Sequence, residues 1–172
     1  DAQVLAFLPR SGGNPDLEAT LVSLDTDGFT INISNASIAS RVFYLAMKGG
    51  KYVVGSLLTQ TDTVTDIVET GFGFQPRAAI FFSHCKAKST LTTAQAHDEW
   101  SVGAFDSITS RGAQGLIDVD AVLDAVISTA VEHDEVYVNI DTGTTPAVEG
   151  LMDVKSVDAD GFTCIMDDAD PA

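Results

Sequence analysis

The sequence contains two copies of the triplet His-Asp-Glu, at residues 97–99 and 133–135. Imidazole nitrogens and carboxylate oxygens bind zinc, but a site needs three or four ligands that converge on one point. Adjacent residues of a strand point to opposite faces, so each triplet could offer only its histidine and its glutamate. The weak candidates for the metal site of a hydrolase are therefore His97, Glu99, His133 and Glu135. A pair of polar loop-to-strand transitions is the simpler interpretation.

The motif Asp-x-Asp-Gly also occurs twice, at residues 25–28 and 158–161. Such carboxylates could hold calcium, but an EF-hand loop needs more oxygen ligands than the apolar residues after each motif supply. Aspartate also bonds nearby backbone N–H groups, and glycine permits the positive φ of many turns. We therefore assign these residues to turns: Asp25, Asp27, Gly28, Asp158, Asp160 and Gly161.

Nucleophilic catalysis finds little support. The sequence has no Gly-x-Ser-x-Gly elbow, and the adjacency of Ser83, His84 and Cys85 is not the spatial geometry of a triad. The chain is therefore expected to be neither an enzyme nor a cofactor-binding protein. Cys85 and Cys164 permit one disulfide, but two small buried apolar side chains are the preferred interpretation.

The segments that must position these groups have the pattern of strands. Short apolar or alternating runs recur between Pro, Gly and Asp residues, which predicts an all-β, antiparallel, jelly-roll-like β-sandwich of about ten strands. The apolar residues of 119–131 have helical spacing, which predicts one short helix there, with a strand and a loop as the alternative. The predicted strands are 4–8, 19–24, 29–33, 41–47, 52–58, 63–68, 78–83, 99–105, 135–140 and 151–157.

Composition excludes several classes of partner. The 172 residues suit one domain, and 25 Asp and Glu against 9 Lys and Arg give a net charge of −16. This charge argues against binding nucleic acid or an anionic membrane surface, and no apolar run reaches the ~18–20 residues of a membrane span. Asp outnumbers Glu by 19 to 6, which favours turns over helices.

An internal repeat organises the chain. Asp25 and Asp158 begin equivalent motifs, Asp-Thr-Asp-Gly-Phe-Thr and Asp-Ala-Asp-Gly-Phe-Thr, at an offset of 133 residues. We expect residues 1–172 to form a single β-sandwich module. In terms of the repeat, residues 1–50 contain the end of one repeat unit, and residues 51–172 contain most of the next. A strand-like run, 41–47, follows the first motif, whereas the chain ends after the second. We expect either a longer tandem array or completion of the second copy by another subunit.

Two motifs carry a resemblance. The stretch 71–82 (GFGFQPRAAIFF), followed later by Asp-Gly-Phe-Thr at 160–163, resembles a module of tailed-bacteriophage virion proteins. In that module the second motif is completed by a strand like 41–46 (RVFYLA). The resemblance implies a β-rich structural module on the virion surface, in a tail-fibre, tail-tip or capsid-decoration role, and no catalytic residues.

The expected function is assembly. The protein would form a homo-oligomer and bind other virion proteins. The alternative is a carbohydrate-binding receptor-recognition module that holds a surface glycan with Trp100, and the third is a metal-dependent hydrolase. Alternation with glycines puts Phe72 and Phe74 on one face of an extended strand and leaves the other face bare. The interface candidates are Arg41, Val42, Phe43, Tyr44, Leu45, Phe72 and Phe74.

Overall fold

The computed structural model of the protein describes residues 3–7, 17–36, 47, 49–85, 97–119, 126–140 and 147–169. Within these ranges every regular element is a strand and every strand pairing is antiparallel, which confirms the predicted all-β fold. The strands are β1 Gln3–Phe7, β2 Leu17–Leu24, β3 Phe29–Ala36, β4 Ile67–Glu69, β5 Ala79–Ser83, β6 His97–Ser107, β7 Ser110–Val119, β8 Val126–Glu132, β9 Tyr137–Ile140, β10 Val148–Asp158 and β11 Gly161–Asp168. The described part of the chain contains no α-helix of the length and apolarity that crossing a bilayer would take.

The described residues divide into two compact units. Unit 1 holds those up to Gly49, and its sheet has the order β1-β2-β3. The β2–β3 turn is closed by the Asp25 backbone N–H, which donates to the Gly28 carbonyl at 2.8 Å. Leu17 and Ala19 of β2 are buried, whereas the residues of β2 and β3 nearest the turn are exposed.

Unit 2 holds the described residues from Gly50 onward and contains two four-stranded sheets, of order β4-β11-β10-β9 and β5-β6-β7-β8. The sheets form a sandwich whose two layers approach closely where β6 and β7 carry glycine. A Cβ at Gly103 would lie 2.0 Å from the Val136 carbonyl oxygen, and one at Gly115 would lie 2.8 Å from that of Val138. The Val138 N–H also donates to Ser101 Oγ at 3.1 Å.

The core of unit 2 lies between these sheets and is centred on Phe162. Its ring lies 5.7 Å from each of three other phenylalanine rings, those of Phe72, Phe81 and Phe105, in edge-to-face geometry. The aromatic cluster therefore joins both sheets to the Gly-Phe-Gly-Phe segment. The other buried members of the core are Ile67, Val136, Tyr137, Met152, Val154, Cys164 and Met166.

The predicted helix is wrong wherever the structure describes it. β7 ends at Val119, and residues 126–132 form β8, each paired with a residue of β7. The apolar spacing that suggested a helix is overridden by pairing with β7, a contact that periodicity does not report. Residues 120–125 lie outside the described part.

Two predicted strands also differ. Residues 52–58 form no strand, and the run at 63–68 is paired only from Ile67. Asp62 Oδ1 accepts the backbone N–H groups of Val64 and Thr65 at 2.8 and 2.6 Å. This Asx turn diverts the backbone from an extended path, and the bonds from Val64 and Thr65 lower the pKa of the Asp62 carboxyl.

Candidate functional site

The internal repeat is a repeated β-hairpin. We call β2, residues 25–28 and β3 hairpin A, and β10, residues 159–160 and β11 hairpin B. The strand register of the two hairpins agrees at the offset of 133 residues. In hairpin A the matching pairs run from Glu18↔Asn35 to Leu24↔Phe29, and in hairpin B they run from Leu151↔Asp168 to Val157↔Phe162. Both hairpins also shift register at the same two places, after equivalent residues. Bulges of this kind are specific features of a strand pair, so the two hairpins share one architecture.

The first aspartate of each motif is a turn residue. In hairpin A, Ser23 Oγ and Thr30 Oγ1 each donate to the Asp25 carboxylate at 2.9 Å. In hairpin B, the equivalent hydroxyls of Ser156 and Thr163 donate to Asp158 at 3.0 and 3.1 Å. Both carboxylates therefore hold their own turns, which accounts for them without a calcium ion.

The second aspartate of hairpin B holds the Gly-Phe-Gly segment. Asp160 Oδ2 accepts the Gly71 N–H at 3.0 Å, Oδ1 accepts the Gly73 N–H at 2.5 Å, and its carbonyl accepts the Phe72 N–H at 3.2 Å. We call this arrangement the Asp160 latch. It requires φ values of 87° and 69° at Gly71 and Gly73, a conformation that favours glycine.

The latch corrects the extended strand predicted for this segment. The left-handed glycines turn the chain, and the ring of Phe72 packs on Phe162 in the core of unit 2. Phe74 lies 6.1 Å from Phe72 and under Lys51 Nζ, at 5.8 Å. Both rings are half-buried within their own unit. The remaining interface candidates, residues 41–45, lie outside the described part of the chain.

The glycine of the repeated motif makes room for a neighbouring strand. A Cβ at Gly161 would lie 1.8 Å from the Glu69 carbonyl oxygen, so β4 can pair with β11 only because residue 161 has no side chain. Gly28 is not among the described glycines with positive φ, and no atom of the described residues lies within 4 Å of its Cβ position. The left-handed conformation predicted for Gly28 is therefore wrong.

The two His-Asp-Glu triplets are not brought to one site. Residue 97 pairs with Val119, which pairs with Val126, whereas residue 133 follows the opposite end of β8. At ~3.3 Å per strand residue the two positions lie about 20 Å apart along the sheet. Glu99 and Glu135 are both buried, and no three metal-binding side chains come together among the described residues.

A buried carboxyl group, that of Glu135, lies just before β9. Glu135 is 6% exposed, and its Oε2 has no hydrogen-bond partner among the described residues. Burial raises the pKa of Glu135 to about 8, with further increases from Asp167, Asp153 and Asp134 against the opposing charge of Arg111. In the sequence, the position of this glutamate directly before the apolar run 136–140 was the feature that could have indicated its burial.

Arg111 is the counter-charge of this region. Its Nη2 donates to Asp153 Oδ2 at 2.8 Å, and its Nε donates to the Asp134 carbonyl. Burial nevertheless raises the pKa of Asp153, because desolvation outweighs the attraction of Arg111. Arg111 therefore bonds the carboxylate of Asp153 and lowers the pKa of Glu135 through its charge, whereas Glu135 Oε2 has no hydrogen-bond partner among the described residues.

The solvent side of the β5–β8 sheet is apolar. Alternation and register place Phe82 beside Val102, and Trp100 beside Leu116, on the face opposite the core. Phe82 is 76% exposed, and Trp100 is half-buried. We call this surface the outer face; its exposed or half-buried apolar side chains are Ile80, Phe82, Trp100, Val102, Leu116, Ile127 and Val131.

Both cysteines are free thiols. Cys164 is buried in β11, and burial raises the pKa of its thiol to about 12. Cys85 is half-buried and packs against the same core. The pair therefore behaves as apolar core residues, in agreement with the preferred interpretation of the sequence.

No protein-family profile matches the chain, and no curated protein or solved structure is significantly similar to it.

Proposed function

We propose that this chain is a non-enzymatic structural module of a phage virion, in a capsid-decoration, tail or fibre role. It works by binding further copies of itself and neighbouring virion proteins. Support for the virion setting is the resemblance of residues 71–82 and 160–163 to modules of tailed phages. The repeated hairpin fits this structural role, since a chain built from repeated units can stack them into an extended structure.

The outer face is the observation that carries assembly. Four neighbouring strands present apolar side chains there, with Gln114, Asp118 and Thr129 among them, and no described element of unit 2 covers them. Soluble monomers rarely expose such a patch, and a large one marks a protein contact. Aromatic residues such as Phe82 and Trp100 contribute disproportionately to interface energy.

Sedimentation velocity of the full chain tests this proposal. Self-association should increase with protein concentration, and Phe82→Ser should weaken it about tenfold, because an aromatic contact is lost from an otherwise intact face. Val54→Ser is the matched control, since Val54 is exposed but lies in the irregular segment of unit 2. A monomer at every concentration, or an equal effect of the control variant, would refute the proposal.

A glycan-binding role is the second candidate. Trp100 is partly accessible, and two exposed carboxylates, Asp98 and Asp118, share its face one register position away. An aromatic ring beside hydrogen-bonding groups is the kind of surface on which a sugar stacks. A glycan array should then show binding by the full chain and none by Trp100→Ala. If the unmodified chain binds no glycan, this candidate is rejected.

A further inference from the structure

Hairpin B binds a segment of its own unit that hairpin A lacks among the described residues. β11 pairs with β4, and the Asp160 latch then holds the Gly-Phe-Gly backbone that follows. In unit 1, the equivalent strand β3 is the outermost of the described strands of its sheet. We propose that β3 and the Asp27-Gly28 turn bind an extended segment with the pattern of Ile67–Phe74, supplied by a repeat unit outside this chain.

The apolar face of hairpin A has the character of a core surface. Residues 154, 164 and 166 of hairpin B are buried in the core cluster of unit 2. The equivalent positions of hairpin A are apolar as well, with exposed fractions of 38–54%. They are Leu21, Ile31 and Ile33. A hairpin that keeps core residues on an open face fits a partner that covers them.

Gly28 supplies a second, independent observation. Its counterpart Gly161 has no room for a side chain, because the β4 backbone lies against it. Gly28 is free of such contacts in the described structure, and its φ is not left-handed. Glycine costs conformational entropy wherever its freedom is unused. Its presence at residue 28 is explained if another backbone approaches there as β4 approaches Gly161.

Asp27 identifies the chemistry of the partner. Asp160, its counterpart, accepts two backbone N–H groups from a Gly-x-Gly turn. Asp27 is exposed and makes no hydrogen bond within the described part of the chain. The partner should therefore carry a short apolar strand that pairs beside Ile31, followed by Gly-aromatic-Gly.

The source of the segment follows from comparing the number of hairpins with the number of Gly-Phe-Gly-Phe segments. The described part of the chain contains two hairpins of this register, whereas the sequence contains Gly-Phe-Gly-Phe once, and hairpin B already holds it. A segment for hairpin A must therefore come from another repeat unit. This inference deepens the proposed assembly role, on which it rests, by naming the segment that one unit offers to the next.

A labelled synthetic peptide with the sequence of residues 66–77 (DIVETGFGFQPR) tests the inference by fluorescence anisotropy with the full chain. Binding should saturate, and Asp27→Ala and Gly28→Ala should each weaken it at least tenfold. The control is Gly55→Ala, since Gly55 also has open space at its Cβ position. Circular dichroism should show all three variants folded, because none alters a described contact.

Hydrogen exchange locates the bound peptide. Slower exchange in β3 supports the proposal, whereas a change confined to β11 means that the peptide replaced the chain's own segment and overturns it. Absence of binding, or equal affinity for Gly28→Ala and the unmodified chain, also overturns it. The Phe82→Ser sedimentation test needs no peptide, so failure here is distinguishable from failure of assembly through the outer face.

Discussion

Replacing Glu135 by glutamine should make the protein more stable at alkaline pH while changing it little in acid. The carboxyl of Glu135 is 6% exposed, lacks a partner for Oε2 and stands among other acidic groups. Its charged form is therefore costly in the folded state and solvated in the unfolded state. Glutamine has nearly the same shape and carries no charge at any pH.

The magnitude follows from the pKa of Glu135, which is about 8 in the folded protein against a usual value of 4.5. Between these values the folded state binds more protons than the unfolded state, so stability falls as pH rises through this window. At about 1.4 kcal/mol per pKa unit, ionisation of Glu135 costs on the order of 5 kcal/mol above the folded pKa. Glu135→Gln should recover most of that amount at alkaline pH.

Urea unfolding followed by the fluorescence of Trp100, which lies on β6 of unit 2, measures this effect. The free-energy difference between the variant and the unmodified chain should grow from acid to alkaline pH and level off above the folded pKa. Glu132→Gln is the control, since Glu132 is a half-buried carboxylate at the end of β8. A difference that stays constant across the range would refute the reasoning.

Three further outcomes are expected. Asp160→Ala should destabilise unit 2 by about 1–3 kcal/mol in urea unfolding, because two N–H groups lose their acceptor, and an equal loss for Asp27→Ala would contradict the latch. Self-association should strengthen with added salt, since like charges of −16 per chain repel until screened within ~10 Å at 0.1 M; sedimentation unchanged by salt would contradict this. Cys164 should resist a thiol reagent until the chain unfolds, because burial raises its pKa to about 12, and rapid labelling in the folded state would show otherwise.

The local sequence pattern was sufficient to predict the strands that pair with neighbours close in sequence. The runs at 79–83 and 99–105 alternate or are continuously apolar, and both are strands. The repeated motif predicted the position of both hairpin turns. In each hairpin a serine and a threonine beside the turn donate to the first aspartate of the motif and so fix the register. Pattern failed on β7, since Gly112, Gln114 and Gly115 interrupt its apolar residues. Gly115 is needed because Val138 of the other sheet lies against it.

The remaining features depend on residues that are far apart in sequence. Asp160 and Gly71, which the latch joins, are separated by 89 residues. Glu135 is perturbed by Asp153 and Asp167, which reach it only through the packing of β9, β10 and β11. Neither contact has a local signature, so a single sequence could suggest these residues as turn or strand-end groups but not pair them.

The shared register of the two hairpins also bears on how such a chain could change its length. A genetic crossover between equivalent codons of hairpins A and B would join β2 to β11, or β10 to β3. Because both bulges and six paired positions coincide, each product would keep a paired hairpin at the junction. The coding sequence would gain or lose one 133-residue period while the hairpin at the junction kept its strand pairing. Recombination between the two hairpins would thus shorten or extend the protein by whole repeat units.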